Sequence, residues 1–169
     1  MRRLVLMRHA KAERAGAGDS DFERVLTTRG SADAALIAQA LEASDVRPNK
    51  VLVSFAVRTR QTWEAMAEVF PDAEVQFTRV LYHAEPDVIL DAVEAETAAD
   101  TVMVVAHNPG VHALTLRILK YGSAPPSVLA RFDRGFPTAS AAVFGIDEAG
   151  RAAYEGLYLA AELGGGGGE

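Results

Sequence analysis

The stretch LVLMRHAKAE, residues 4–13, sets four apolar residues directly against a guanidinium and an imidazole, Arg8 and His9. Two later segments have the same shape: VLVS at 51–54 leads to Arg58, and TVMVVA at 101–106 leads at once to His107 and Asn108. Continuous apolar runs rich in β-branched residues are expected of strands covered on both faces. A polar residue just past such a strand stands where the chain surfaces, and in open α/β sheets ligands bind outside the carboxyl ends of the strands. Arg8 and Arg58 present forked donors that match phosphoryl oxygens. Two arginines converging with His9 and His107 therefore make a hollow for a tetrahedral oxyanion, and a phosphate ester or related phosphoryl compound is the natural ligand.

The bland alternatives have to be set beside this reading. Arg58 falls in the first turn of a helix beginning near residue 57, where the macrodipole disfavours a cation, so something negative is expected close by. A surface arginine paired with a neighbouring carboxylate would also fit. His83 and His112 are read as structural or exposed, because neither follows a core strand. A metal held by His9 and His107 is disfavoured: there is no HExxH pattern, and neighbouring arginines raise the cost of a divalent cation.

The elements that must position these side chains follow from the periodicity. Ala34, Ile37 and Leu41 share a helical face after Thr27-Thr28, which offers an N-cap; Trp63, Met66, Ala67 and Phe70 do so on a second helix. A short strand is expected at 74–77, and a third helix from Pro86 buries Ile89, Leu90 and Val93. NPG at 108–110 turns the chain into a fourth helix with Val111, Leu114 and Ile118 on one side; 121–137, with Pro125-Pro126, reads as a loop. The last pair, about 138–146 and 152–159, reads as a hairpin at a sheet edge. The alternation predicts an α/β fold, a three-layer α/β/α sandwich with a mixed, mostly parallel central sheet.

A chain of 169 residues with 49% hydrophobic residues closes one core. Residues 1–163 are expected to form a single domain, and 164–169 a loose glycine-rich tail. The net charge of -6 argues against nucleic acid or an anionic membrane face as partner. With no cysteine, disulfides and thiolate metal sites are excluded. No apolar run reaches a membrane span and residues 4–7 are too few for a signal-peptide core, so a soluble, cytoplasmic protein is expected.

LVLMRHAKAE resembles the RHG signature of the histidine phosphatase superfamily, the phosphoglycerate-mutase-like fold. The resemblance continues in LTTRG at 26–30, SFAVRTRQT at 54–62 and VVAHNPG at 104–110, and in order and spacing is nearest the small SixA-type phosphohistidine phosphatases. It covers about residues 3–159. Ala10 stands where glycine is usual, and Phe55 and Thr59 depart from the common second block.

The resemblance implies that His9 is a nucleophile passing through a covalent phosphohistidine, with Arg8, Arg58 and His107 neutralising the phosphoryl oxygens and Thr28 and Asn108 adding substrate contacts. It implies neither cofactor nor metal. Larger relatives use a carboxylic general acid, for which Glu85 and Asp87 in LYHAEPD are candidates; capping of the helix at Pro86 is the simpler role for both. The expected substrate is a phosphohistidine on a signalling or phosphotransfer protein. A small phosphomonoester such as a sugar phosphate, or an inactive phosphate-binding module, are the alternatives.

Overall fold

The computed structural model describes residues 1–166. Six strands form one sheet: β1 (Arg3–Arg8), β2 (Lys50–Ser54), β3 (Glu74–Thr78), β4 (Thr101–Ala106), β5 (Ser140–Ile146) and β6 (Ala152–Leu159). Their spatial order is β3-β2-β4-β1-β5-β6. The first four run parallel, while β5 pairs antiparallel to β1 and to β6. The hairpin expected at the sheet edge is therefore present.

Five helices cover the sheet: α1 (Thr28–Ala43), α2 (Val57–Glu64), α3 (Pro86–Glu94), α4 (Gly110–Tyr121) and α5 (Pro126–Asp133). Successive side chains of a strand point to opposite faces, and β1 shows the consequence. Val5 and Met7 pack with Ile37 and Leu41 of α1 and Trp63 of α2; Leu4 and Leu6 pack with Ile89 of α3, Leu114 of α4 and Phe132 of α5. The result is the mixed, three-layer α/β/α arrangement.

The capping expectation holds at α1, where Thr27 accepts a hydrogen bond from the Gly30 amide at 2.8 Å. Two expectations need correction. Residues 121–137 are not all loop: Pro126 occupies the first position of α5, where a missing N–H costs nothing, and Phe132 is fully buried on its inner side. The second helix stops at Glu64, and a 3-10 turn at Ala67–Val69 carries the chain to Phe70, so Trp63, Met66 and Phe70 still reach one core.

The glycine-rich end also differs from a loose tail over its first residues. Gly164 adopts φ 87°, the Gly165 amide donates to the Ala160 carbonyl, and the Gly166 amide donates to Asp33 Oδ1, which ties that residue to α1. Residues 167–169 lie outside the described residues. Among the described residues no helix is long and apolar enough to cross a membrane.

One feature of the topology decides where the chemistry sits. The chain makes β1, α1 and β2, passes out to β3, and then returns through α3 to insert β4 between β1 and β2. β4 pairs with both, Arg8 opposite Ala106 and Val53 opposite Val105. The carboxyl ends of β1, β4 and β2 thus lie side by side, with His9, His107 and Ser54 directly at them.

Candidate active site

His9 follows β1 and is anchored on both sides of its backbone. Its amide donates to the Ala106 carbonyl (3.0 Å) and its carbonyl accepts from the Ala139 amide (3.0 Å). Nδ1 lies 2.7 Å from the Ala10 carbonyl, which can only accept, so Nδ1 carries the proton. Nε2 accepts from Arg58 Nε at 3.3 Å and therefore holds a lone pair. Burial, reinforced by the charges of Arg58 and Arg8 and only partly opposed by the Ala10 contact, pushes the imidazole down to about 3. His9 is a neutral ring whose Nε2 lone pair faces Arg58.

His107 follows β4 with its ring centroid 5.3 Å from that of His9. Its Nδ1 lies 3.2 Å from Arg58 Nη2, an obligate donor, and its Nε2 lies 2.7 Å from the buried Ser54 Oγ at the end of β2. The consistent tautomer bears the proton on Nε2 and donates it to Ser54. Burial first, then His9 and Arg58, pushes His107 down to about 2. Neutral imidazoles are what two arginines and a dry strand end require.

Arg58 lies in the first turn of α2 and is 2% exposed. The negative partner expected for it is Asp21, on the loop between β1 and α1. The Asp21 carbonyl accepts from Nη1 (2.6 Å) and its carboxylate from Nη2 (3.0 Å). Burial alone would raise the Asp21 carboxyl, but hydrogen bonds from Arg24, Tyr82 and His83 and the charge of Arg58 hold it well below the usual range.

Residues of the second sequence block hold this geometry from behind. Thr62 Oγ1 donates to the Arg58 carbonyl (2.7 Å) and accepts from the Ala10 amide (3.0 Å), joining α2 to the residue after His9. Gln61 Oε1 accepts from the Leu26 amide at 2.7 Å and fixes the other end of the loop that carries Asp21. The Ala10 side chain is fully buried within the core, so the methyl group that replaces a glycine is accommodated.

Arg8 and Asn108 meet at one carbonyl: Arg8 Nη1 and Asn108 Nδ2 donate to Phe136 O at 3.0 and 2.9 Å. Arg8 Nε and Asn108 Oδ1 are buried without a partner. Such groups are costly unless a ligand or water completes them. Both residues line a cleft of about 340 Å³ with His112, Arg134 and Phe136. A larger groove of about 460 Å³ lies elsewhere, between α3, α4 and the β5–β6 hairpin, and includes none of these residues.

The structure thus brings together His9, Arg58 and His107, with Arg8 and Asn108 at the adjoining strand ends. It does not bring Thr28 to them. Thr28 is exposed in a shallow groove with Gln61 and Glu64, because it is the preceding Thr27 that turns inward to cap the helix and bond the Lys11 carbonyl. Glu85 is exposed at the N-cap position of α3 and makes no side-chain cap bond, while Asp87 pairs with Arg117 on α4. His112 is structural, donating to the Phe132 carbonyl at 2.8 Å.

His83 corrects the sequence reading. Its ring stacks on His107 with centroids 5.2 Å apart, and its Nε2 lies 3.1 Å from Asp21 Oδ2. Tyr82 beside it donates to the same carboxylate oxygen at 2.8 Å. Asp21 and Tyr82 were missed because neither sits in a periodic position that marks it, whereas Ser54 stands at the strand end that the apolar run VLVS marks. For Asp21 the signal was indirect, in the unpaired cation at a helix start.

The comparisons with known proteins agree with this geometry. The pattern of the histidine phosphatase superfamily (branch 1) matches residues 4–82. An uncharacterized protein of Mycobacterium tuberculosis is 32% identical over 138 residues, 81% of this chain and 85% of that one. Among solved structures, the candidate phosphohistidine phosphatase SixA of Agrobacterium tumefaciens superposes with a TM-score of 0.83 at 31% identity, covering 94% of this chain and 97% of that one. The chain belongs to the histidine phosphatase superfamily, in its SixA-type branch. A protein histidine phosphatase SixA in complex with tungstate is also similar, with a TM-score of 0.77, 26% identity and coverage of 95% and 99%. The superfamily match together with the SixA likeness supports a phosphatase enzyme.

Proposed function

We propose that the protein removes phosphoryl groups from protein phosphohistidine through a covalent intermediate on His9, without a metal. The observation that carries this reading is the His9 tautomer. A ring whose Nδ1 proton is committed to the Ala10 carbonyl offers Nε2 as a nucleophile at neutral pH.

Phosphoryl transfer demands positioning and neutralisation of the nonbridging oxygens more than covalent chemistry. Arg58 and Arg8 supply fixed positive charge, the unpartnered Arg8 Nε supplies a further donor, and Asn108 closes the adjoining side. On binding, Arg58 turns its Nε–H from His9 to a phosphoryl oxygen, which frees the lone pair it had been capping. His9 Nε2 then attacks phosphorus in line and the leaving group departs; water cleaves the phosphohistidine and returns the neutral ring. His107, neutral and held by Ser54 and Arg58, stands beside the attacking ring.

Two observations favour phosphohistidine as substrate. Among the described residues no protonated carboxyl is held at the site for an alkoxide: Asp21 is kept ionised by its hydrogen bonds and by Arg58, Glu85 is exposed at the start of α3 and Asp87 pairs with Arg117; an imidazole leaving group needs less help because it can be protonated near neutrality. The stretch from Thr62 to His107 is used up by β3, α3, β4 and short turns, so no cap domain covers the strand ends and a side chain on another protein can reach them. The tungstate complex of the SixA relative supports a tetrahedral oxyanion in this fold. A cytoplasmic location fits such a partner.

Rapid quench into alkali after mixing with labelled substrate tests the reading. Acid-labile label on His9, lost in His9→Ala, is the expected result. Activity that survives in His9→Ala, or that a chelator abolishes, overturns it. A kcat/KM that favours a small phosphate ester over a phosphohistidine peptide overturns the substrate assignment alone.

A further inference from the structure

His9 and His107 are both kept neutral by burial and by Arg58, so neither brings a proton to a departing oxygen at neutral pH. The arginines do not release theirs. Tyr82 keeps its hydroxyl proton and donates a hydrogen bond to Asp21. Among the described residues one further imidazole stands against the site: His83, half exposed, stacked on His107 and bonded through Nε2 to Asp21.

Its backbone is unusual as well. His83 has φ 49°, the left-handed region that few residues other than glycine enter without cost. Backbone held in such a conformation at the edge of a site points to a side chain being aimed. The loop is fixed from below by Gly110, where a Cβ would lie 2.0 Å from the Ala84 carbonyl, so α4 abuts the residue next to His83.

Resting on the phosphatase reading above, we propose that His83 is a catalytic residue, the general acid and then the general base of the reaction, with Asp21 as the positioning residue that holds its ring. Asp21 fixes Nε2, and Nδ1 carries the transferable proton. In the first step the His9 Nε2–P bond forms and the bond from phosphorus to the leaving oxygen breaks; that oxygen keeps the electron pair and takes the proton from the His83 imidazolium. In the second step water attacks phosphorus, the N–P bond breaks with its electron pair returning to His9, and the water proton passes to His83. The imidazolium is restored and inorganic phosphate leaves. The groups facing His83 are Asp21, Tyr82, His107 and, through Asp21, Arg24 and Arg58. A device of this kind extends the enzyme from phosphohistidine to phosphate esters with poor leaving groups.

The test compares the wild-type protein with His83→Asn, which tolerates the left-handed backbone and can still donate to Asp21 but cannot shuttle a proton. Matched urea midpoints establish that the variant folds. With p-nitrophenyl phosphate, whose phenolate leaves unaided, kcat/KM is expected to fall by less than about threefold; with phenyl phosphate it is expected to fall by about a hundredfold. Labelled phosphohistidine should accumulate on His9 in the variant, because hydrolysis has lost its base. Equal losses on the two esters, or none on phenyl phosphate, overturn the proposal. Absence of turnover and of His9 label in the wild-type protein overturns the phosphatase reading and this one with it, a result distinct from any defect confined to the variant.

Discussion

The guanidinium of Arg58 and the carboxylate of Asp21 meet at 3.0 Å although one is 2% exposed and the other sits on a half-exposed loop. A buried arginine left without its counter-charge is strongly disfavoured. Asp21 therefore holds Arg58 at the strand ends, and it does so twice, since its backbone carbonyl receives Nη1 as well.

Asp21→Ala should lower kcat by about a hundredfold, because loss of the carboxylate lets a charged side chain drift by the ångström that phosphoryl transfer does not tolerate. Asp21→Asn keeps an acceptor for Nη2 and should lose less. Steady-state kinetics on one aryl phosphate check the order; equal activity in the two variants would show that orientation is carried by the backbone carbonyl alone.

Thr62→Val preserves shape and deletes the hydroxyl that links Ala10 to α2. The Ala10 amide is then buried without an acceptor, at a cost of about 1–3 kcal/mol. A lowered urea midpoint with an unchanged slope is the expected outcome.

Gly110→Ala places a methyl group against the Ala84 carbonyl, and Gly30→Ala places one 2.1 Å from the Lys11 carbonyl. Neither neighbour is the end of a flexible side chain, so backbone must move, at about 1–3 kcal/mol each. Thermal unfolding measures the cost. Gly110→Ala should also lower kcat/KM, since the displaced segment carries Tyr82 and His83.

Stability should fall on mild acidification. An unfolded histidine titrates near 6.5. Burial, with Arg58 beside them, pushes His9 down to about 3 and His107 to about 2 in the folded protein. Below about 6.5 the unfolded chain binds protons that the folded one refuses, so the stability these groups contribute is complete above that pH and is lost as pH falls toward the folded values. Each contributes a slope of up to about 1.4 kcal/mol per pH unit. Urea midpoints at about pH 7 and about pH 5, where carboxylates remain ionised, should differ more for the wild-type protein than for His9→Gln.

Much of this was legible in the residues. The apolar runs ending at Arg8, Ser54 and Ala106 announced buried strands, and the cations and imidazoles after them marked the strand ends where His9, Arg58 and His107 meet. Thr27 as a cap, Pro86 as a helix start and the final hairpin followed from local rules. α5 was not legible, because eight residues opening on a proline pair carry too little periodicity to separate a helix from a loop. Thr28 was misplaced for a similar reason: of two adjacent threonines, the pattern does not say which one turns inward.

The sequence by itself determined which chemistry-bearing groups stand at strand ends, since arginine and histidine directly follow buried apolar runs whatever the strand order. Tertiary structure decided which of them meet: inserting β4 between β1 and β2 sets His107 beside His9, and a loop returning across the strand ends brings Asp21 to Arg58, Tyr82 and His83. Contacts between residues dozens of positions apart leave no period along the chain, because their partners are chosen by packing of whole elements rather than by the helical or strand repeat.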